Sequence, residues 1–235
     1  QYVFNWKIYF FKIMKKLKAM LGGAFIALLA SMTTTPLMAG AGDFAGPYVA
    51  IQASTNAAVV SGSGTNSNAE VTNGTLGKVF AGAGVQIGWS IPVADTFLIG
   101  LDISYNPASG KISLDSGAGD ATDDDISIDI ADVTTISIMP MVSVSESSAV
   151  YAKIGITHAD LTWTGNVEDV TLNSSMRGDT YALGTRTLYG NGAFLQTEFG
   201  VTDFDVLNVD IKNSDGIGTA SPEQVYGAVS LGFRF

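Results

Sequence analysis

The stretch Val225–Phe235 reads VYGAVSLGFRF and contains the clearest alternating pattern of the chain. One face of it consists of Val225, Gly227, Val229, Leu231, Phe233 and Phe235, and the other of Tyr226, Ala228, Ser230, Gly232 and Arg234. A period of two residues is typical of a β-strand whose two faces meet different surroundings. Because chain ends fray unless something holds them, the pattern predicts a last strand that is paired within a sheet.

The beginning of the sequence carries a different pattern. Lys15, Lys16 and Lys18 precede an apolar run at 21–32, and the small residues Ala39, Gly40 and Ala41 follow. This order predicts a secretory signal peptide over residues 14–41, since a membrane-spanning helix needs about 20 apolar residues. Cleavage after Ala39 is an alternative to cleavage after Ala41. Residues 1–13 are interpreted as upstream translation and left out of the fold.

The composition of residues 42–235 restricts the kinds of partner that the protein can bind. Of the 12 Lys and Arg, five lie before residue 42, whereas none of the 22 Asp and Glu do, which leaves a net charge of about −15 on residues 42–235. This charge argues against nucleic acid as a partner. The chain has no Cys, which excludes disulfides, thiol nucleophiles and thiolate metal sites. No cofactor is predicted.

Alternation recurs along the chain in runs that predict eight strands. They are 47–58, 78–91, 96–106, 126–145, 149–163, 186–201, 204–213 and 224–235. Short connections at 92–95, 146–148 and 202–203 alternate with long, polar ones, as in outer-membrane barrels. We therefore predict an all-β fold for 42–235, an eight-stranded antiparallel up-and-down transmembrane β-barrel. Both termini would be periplasmic and the long loops extracellular, in a bacterial outer membrane.

Two further patterns favour the membrane barrel over a soluble β-sandwich or lipocalin-like barrel. Glycines on the polar face would leave room inside a narrow barrel, namely Gly82, Gly84, Gly88, Gly100, Gly155, Gly190, Gly192 and Gly232. Aromatic residues near strand ends predict two belts at the headgroup levels. The turn-end belt would hold Trp89, Phe97, Phe199, Phe204, Phe233 and Phe235, and the loop-end belt Tyr105, Trp163 and Tyr189. Pro140 predicts a bulge, and residues 111–114 a hairpin with the long strand 126–145.

Charged residues on the inward face predict a polar network in the lumen. By the parity of the strands it holds Asp102, Lys153, Glu198, Asn208, Asp210, Lys212 and Arg234. Charges in so narrow a space must pair or stay hydrated. The favoured interpretation is a salt-bridge network that plugs the lumen, and a narrow path for solutes or ions is the alternative.

Candidates for other chemistry are few. The one His, His158, has Asp160 two residues on, but no Ser motif at fixed spacing accompanies it. The favoured interpretation of His158 is a residue at the barrel rim. The alternative is a catalytic group of a lipid-modifying enzyme. Asp120, Asp123, Asp124, Asp125 and Asp129 lack the glycine turn and distal Glu of a calcium loop. They are read as a solvated acidic loop with, at most, weak divalent-cation binding.

The closing stretches 198–213 and 224–235, together with GPYVAIQAS at 46–54, resemble the outer-membrane protein A-like and opacity-protein-like porin family. The resemblance implies that the outer-membrane assembly machinery recognises the last strand through Tyr226, Val229, Leu231, Phe233 and Phe235. It also implies contact with outer-membrane lipid and lipopolysaccharide, and an extracellular ligand bound by loops. The predicted function is a non-enzymatic structural and cell-surface barrel, with a narrow-pore channel and a lipid-modifying enzyme using His158 as alternatives.

Overall fold

The computed structural model describes residues 40–65, 71–107, 110–114, 126–164, 171–210 and 217–235. Within them a 3-10 turn at Ala41–Phe44 precedes ten strands. These are β1 (Gly46–Thr65), β2 (Val71–Pro92), β3 (Phe97–Asn106), β4 (Gly110–Leu114), β5 (Ile126–Ser145), β6 (Ser148–Thr164), β7 (Thr171–Leu188), β8 (Ala193–Phe204), β9 (Leu207–Asp210) and β10 (Ile217–Arg234). No helix in this described part of the chain is long and apolar enough to cross a membrane.

The strands form a closed up-and-down barrel. Neighbours along the chain pair antiparallel, and β1 pairs with β10 from Tyr48↔Arg234 to Gly64↔Gly218. β4 follows β3 after a break and pairs with β5, while β9 follows β8 and pairs with β10. The wall of the barrel therefore has eight strands. Closure by the terminal strand and the hairpin at 111–114 are both confirmed.

The two faces of the wall follow the predicted parity. Outward side chains such as Ile51, Ile87 and Leu231 are between 58% and 65% exposed, whereas inward Gln86 and Ser230 are 2% exposed. A water-soluble barrel would bury the apolar face and expose the polar one. Here the arrangement is inverted, and it suits an exterior that meets lipid.

Charged side chains bracket this apolar exterior at two levels. Asp95 and Glu146 are exposed in the tight turns, and Asp160, Arg177 and Asp179 are exposed toward the loop end. Between these levels the outward side chains of the described strands carry no formal charge. The interval covers about ten residues of each strand, or roughly 25 Å along the axis of a barrel with a 40° strand tilt. That height matches the hydrocarbon part of an outer membrane.

The sixth and seventh predicted strands are displaced along the chain. The structure forms β7 at Thr171–Leu188, in a region predicted to be mostly loop, and a tight turn at 189–192 where the sequence predicted a continuous strand. Asn191 and Gly192 in this turn have φ angles of 70° and 90°, which end an extended segment. Gly190 and Gly192 are therefore turn residues and not inward-facing wall residues. Asp203, predicted to lie in a periplasmic turn, pairs with Glu223 toward the loop end.

The irregularities of β5 differ from the predicted bulge at Pro140. Pro140 pairs in register with Ile99 of β3, and the register with β6 is the same before and after it. The register shifts instead between Ala131 and Thr134, where Asp132 has a φ of 51°, and again near the end of β5. The ladder skips Pro140 on its β6 side, since proline has no N–H to donate.

Only part of the two predicted aromatic belts lies as expected. Trp89, Phe233 and Phe235 are exposed at the turn end, and Tyr105 faces outward toward the loop end. The other placements differ because β7 and β8 are shifted: Tyr189 lies in a turn-end connection, Phe199 in mid-wall, and Phe204 points inward at the loop end. Phe97 is buried at the start of β3. Trp163 belongs to β6, but its side chain lies outside the described ones.

Candidate functional site in the lumen

A buried ion-pair cluster occupies the middle of the lumen. β6 supplies Lys153, β8 supplies Glu198 and β3 supplies Asp102, and all three are at most 6% exposed. Lys153 Nζ lies 2.7 Å from Glu198 Oε2 and 3.0 Å from Oε1. Asp102 Oδ1 faces the same ammonium at 3.5 Å, an ion pair without hydrogen-bond geometry. Parity placed these residues inside, and the structure brings them together.

Three tyrosines donate hydrogen bonds to the two carboxylates. Tyr151 donates to Glu198 Oε2 and Tyr226 to Oε1, each at 2.8 Å. Tyr48 donates to Asp102 Oδ2, also at 2.8 Å. Hydrogen bonds to ionised acceptors offset part of the cost of removing charges from water. Because the donors come from three different strands, the cluster also cross-links the wall through its interior.

A second buried cation, Arg186 of β7, lies nearer the turn end. Its Nε and Nη2 donate to Gln196 Oε1 at 3.0 and 2.8 Å, and Nη1 donates to Ser90 Oγ at 3.1 Å. The guanidinium carbon lies 4.1 Å from the centre of the Tyr48 ring and 4.7 Å from that of Phe194. Cation–π contact of this kind stabilises a charge that has lost its water.

The formal charges of Lys153, Arg186, Asp102 and Glu198 sum to zero, so these four buried groups balance without a bound ion. Arg186 was missed as a network member, although it is the first residue of the predicted strand 186–201 and has the same parity there as Glu198. The signal was present: Thr180, Ala182, Gly184 and Arg186 share the inward face of β7. Tyr48 and Tyr151 were also missed as network members, and Tyr226 was assigned only to the assembly signal.

Neutral polar side chains line the lumen on the loop-end side of the charged cluster. Four threonine hydroxyls on successive strands, Thr135, Thr157, Thr180 and Thr202, form a chain with separations of 2.7, 2.5 and 2.8 Å. On the opposite wall, Gln224 Nε2 donates to Asn56 Oδ1 at 2.8 Å. We call these six side chains the polar collar. Their hydrogen bonds run between neighbouring strands of the wall.

A small polar chamber lies between the charged cluster and the loop end. It has a volume of about 50 Å³, and Lys153, Glu198 and Tyr226 are among its lining residues together with Asn56 and Thr202. This volume is sufficient for a few water molecules and no more. Beyond the chamber, inward apolar side chains fill the lumen, namely Ala58, Val60, Ile130, Ala159, Leu161, Met176, Phe204 and Ala220, with Phe80 packed against them.

Four large inward rings lie directly over glycines of the neighbouring strand. The register pairs are Tyr48↔Gly88, Tyr151↔Gly184, Phe194↔Gly232 and Tyr226↔Gly200. A methyl group built on any of these glycines would overlap the ring opposite it. The narrow lumen thus accommodates large side chains by leaving the facing position without one. We call these four contacts the ring–glycine pairs.

Other predicted members of the network lie elsewhere. Arg234 is near the turn end, where its Nη1 donates to Ala45 O at 2.8 Å. It lies six residues along β10 from Ala228, the register partner of Glu198, and so about 20 Å away from the cluster. Asn208 and Asp210 belong to β9, with side chains outside the described ones, and Lys212 lies outside the described residues altogether.

The remaining site candidates are on the exterior or outside the description. His158 faces outward and is exposed, with Thr134 and Arg177 as its register neighbours. Among the described residues no group of three or more His, Cys, Asp or Glu is placed to hold a metal ion. Asp120, Asp123, Asp124 and Asp125 lie outside those residues, so the weak cation site stays a prediction. Of the terminal set, Val229, Leu231, Phe233 and Phe235 face outward.

A closed antiparallel barrel with an apolar outer band and a lumen filled by side chains has the architecture of the small outer-membrane β-barrels. No protein-family profile matches the chain, and no curated protein matches it in sequence. Three solved structures are similar to the chain, at low sequence identity.

The outer membrane protein OprG from Pseudomonas aeruginosa is 13% identical, with 81% of this chain and 97% of that chain covered and a TM-score of 0.49. Neisserial surface protein A (NspA) is 8% identical, with 78% and 97% covered and a TM-score of 0.39. The attachment invasion locus protein Ail of Yersinia pestis is 9% identical, with 77% and 98% covered and a TM-score of 0.36.

Proposed function

We propose that this protein is a non-enzymatic barrel of the bacterial outer membrane that does not conduct at rest and acts structurally and at the cell surface. The observation that carries the proposal is the buried ion-pair cluster of Lys153, Glu198 and Asp102, which crosses the lumen in mid-barrel. A conducting path would require these charges to separate. Separation of buried, paired charges is costly unless water replaces both partners.

The exterior supports the proposed location. The uncharged outward band would be covered by outer-membrane lipid, with lipopolysaccharide around its loop-end part. Beyond the band, Asp179, Asp203 and Glu223 are register neighbours on β7, β8 and β10, and they make this level of the wall acidic. A ligand bound at the loop end would then be cationic or would bind through cations. The acidity also disfavours nucleic acid as a partner.

A gated narrow channel is the second candidate, and the polar chamber of about 50 Å³ is the observation that favours it. In planar bilayers we expect the wild-type protein to show rare, small openings or none. Glu198→Gln, which keeps the shape of the side chain and removes its charge, should open more often because Lys153 loses its shorter ion pair. A large, steady conductance of the wild type would contradict the sealed lumen and establish the channel.

The enzymatic alternative lacks geometric support. His158 stands on the exposed exterior, and no side-chain hydrogen bond to a described residue orients its imidazole. A catalytic base needs a partner that holds its ring toward the nucleophile. We therefore assign His158 to the rim of the barrel, as a surface residue.

The orientation of the barrel is testable with single thiols because the natural chain has no Cys. Asn166→Cys, between β6 and β7, should react with a membrane-impermeant maleimide on intact cells. Ser147→Cys and Asn191→Cys, in tight turns, should react only after permeabilisation. Labelling of Ser147→Cys on intact cells would invert the barrel. Protection of Asn191→Cys even in permeabilised cells would contradict the turn at 189–192.

A further inference from the structure

The segment that precedes β1 closes the turn-end mouth of the barrel. It folds as a 3-10 turn at Ala41–Phe44, which places the Phe44 ring in the apolar cluster at this end of the lumen. Phe44 is 1% exposed and packs in the same cluster as Leu98 and Met141. Ala41 is 2% exposed. The turn therefore belongs to the folded barrel.

Hydrogen bonds attach this turn at both of its ends, from backbone donors on one side and from the Arg234 side chain on the other. The Ala41 N–H donates to Asp95 O, in the connection between β2 and β3, at 2.7 Å. The Asp43 N–H donates to Gly40 O at 3.2 Å, so Gly40 supplies the first acceptor of the turn. On the other side, Arg234 holds Ala45 O. Gly40 and Ala41 thus take part in the hydrogen bonds that attach the turn to the barrel.

The two cleavage positions predicted from the sequence differ in what they leave of this turn. Cleavage after Ala41 removes the Gly40 acceptor, the buried Ala41 methyl group and the amide bonded to Asp95 O. Cleavage after Ala39 retains all of them. The small-residue pattern alone favours the position after Ala41, whereas the folded contacts favour the position two residues earlier.

We propose that the leader is cut between Ala39 and Gly40, and that Gly40–Ala45 remains in the mature protein as a stopper in the turn-end mouth. The step is a hydrolysis: the bond between the Ala39 carbonyl carbon and the Gly40 nitrogen breaks, and water supplies the new carboxylate oxygen and the proton of the new amine. The proposal rests on export to the outer membrane, as proposed above.

Intact-mass measurement and N-terminal sequencing of the protein purified from cells test the cleavage position. The expected first residues are Gly-Ala-Gly-Asp-Phe. A chain that begins at Gly42, or one that keeps its leader, overturns the proposal whichever cell fraction holds it. The fraction itself reports on the proposed function: absence from the outer membrane would contradict the location, even if the first residue were Gly40.

A second measurement tests the stopper. Two proteins that begin at Gly40 and at Gly42 are refolded in parallel, and their unfolding midpoints in urea are compared. The protein that begins at Gly42 should unfold at a lower urea concentration. It lacks the hydrogen bonds from the Ala41 N–H to Asp95 O and from the Asp43 N–H to Gly40 O. Asp43→Ala in the longer protein is the control, since Asp43 is exposed. Equal midpoints for the two starting points would overturn the stopper.

Discussion

Replacement of Glu198 by Ala should lower the free energy of unfolding by about 3–5 kcal/mol, the range for breaking a buried ion pair. Lys153 would keep only Asp102, at 3.5 Å, and the hydroxyls of Tyr151 and Tyr226 would lose their acceptor. Urea titration of the protein in lipid vesicles measures the loss. Heat-modifiable migration on gels reports the folded fraction independently.

The ranking of the variants by their loss of stability is as informative as the size of each loss. Lys153→Met should destabilise more than Glu198→Ala because it leaves two carboxylates without their cation. The double variant Lys153→Met, Glu198→Leu should lose less than the sum of the single losses. Glu146→Ala, in an exposed turn, is the control and should change little. A Glu198→Ala protein as stable as this control would rule out the lumenal cluster as a source of stability.

Arg234 provides a test of where the network ends. The sequence places it on the same face as Glu198, yet the structure separates the two by about 20 Å and bonds Arg234 to Ala45 O. Losses from Glu198→Ala and Arg234→Ala should therefore add in the double variant. Coupling between them would mean that the network extends to the turn end.

Addition of a single methyl group at Gly232 should also destabilise the barrel, by about 1–3 kcal/mol as for other overpacked interiors. The new Cβ would overlap the Phe194 ring. That ring cannot withdraw easily, because it stands edge-on to Tyr48 with 5.6 Å between the ring centres and lies beneath Arg186. Gly232→Ala should thus disturb the Arg186 stack as well.

Gly227 supplies the matched control on the same strand. It is an outward position where an added Cβ meets no atom within 4 Å, so Gly227→Ala should leave the unfolding midpoint nearly unchanged. Phe194→Leu combined with Gly232→Ala should recover part of the loss, since the smaller side chain gives the methyl group room. Equal losses at Gly227 and Gly232 would point to backbone effects and contradict the packing explanation.

The barrel itself was predictable because alternation survives in most of its strands. Over residues 79–91 of β2, 97–105 of β3 and 225–233 of β10, one face holds only apolar residues and glycine, and each apolar residue fixes the parity of its neighbours. β7 carries no such signal over its first half, where polar residues and glycine are distributed over the two faces. Without an apolar face its residues read as a loop, and the strand that follows was placed too early in the chain.

The site was predictable only in part, for a geometric reason. Parity says which side of the wall a residue occupies, and this placed Asp102, Lys153 and Glu198 in the lumen. It does not give the height of a residue, which depends on the register between all intervening strands. Hence Arg234 was assigned to a cluster that lies about 20 Å from it. Arg186, the first residue of the predicted strand 186–201, was not recognised as a member of the network.

The ring–glycine pairs bear on how the barrel selects a single register during assembly. A closed sheet has no free edge from which strands can be aligned, so each interface must reject its own slipped alternatives. A slip of two residues between β8 and β10 would set the Phe194 ring against Ser230 or Arg234. It would also set Tyr226 against Glu198 or Thr202, positions already filled by side chains. At this interface one ring projects from β8 over a glycine of β10, and the other projects from β10 over a glycine of β8. A slip in either direction therefore brings a ring against a side chain. The rings thus specify the register, which the hydrogen-bond ladder alone does not fix.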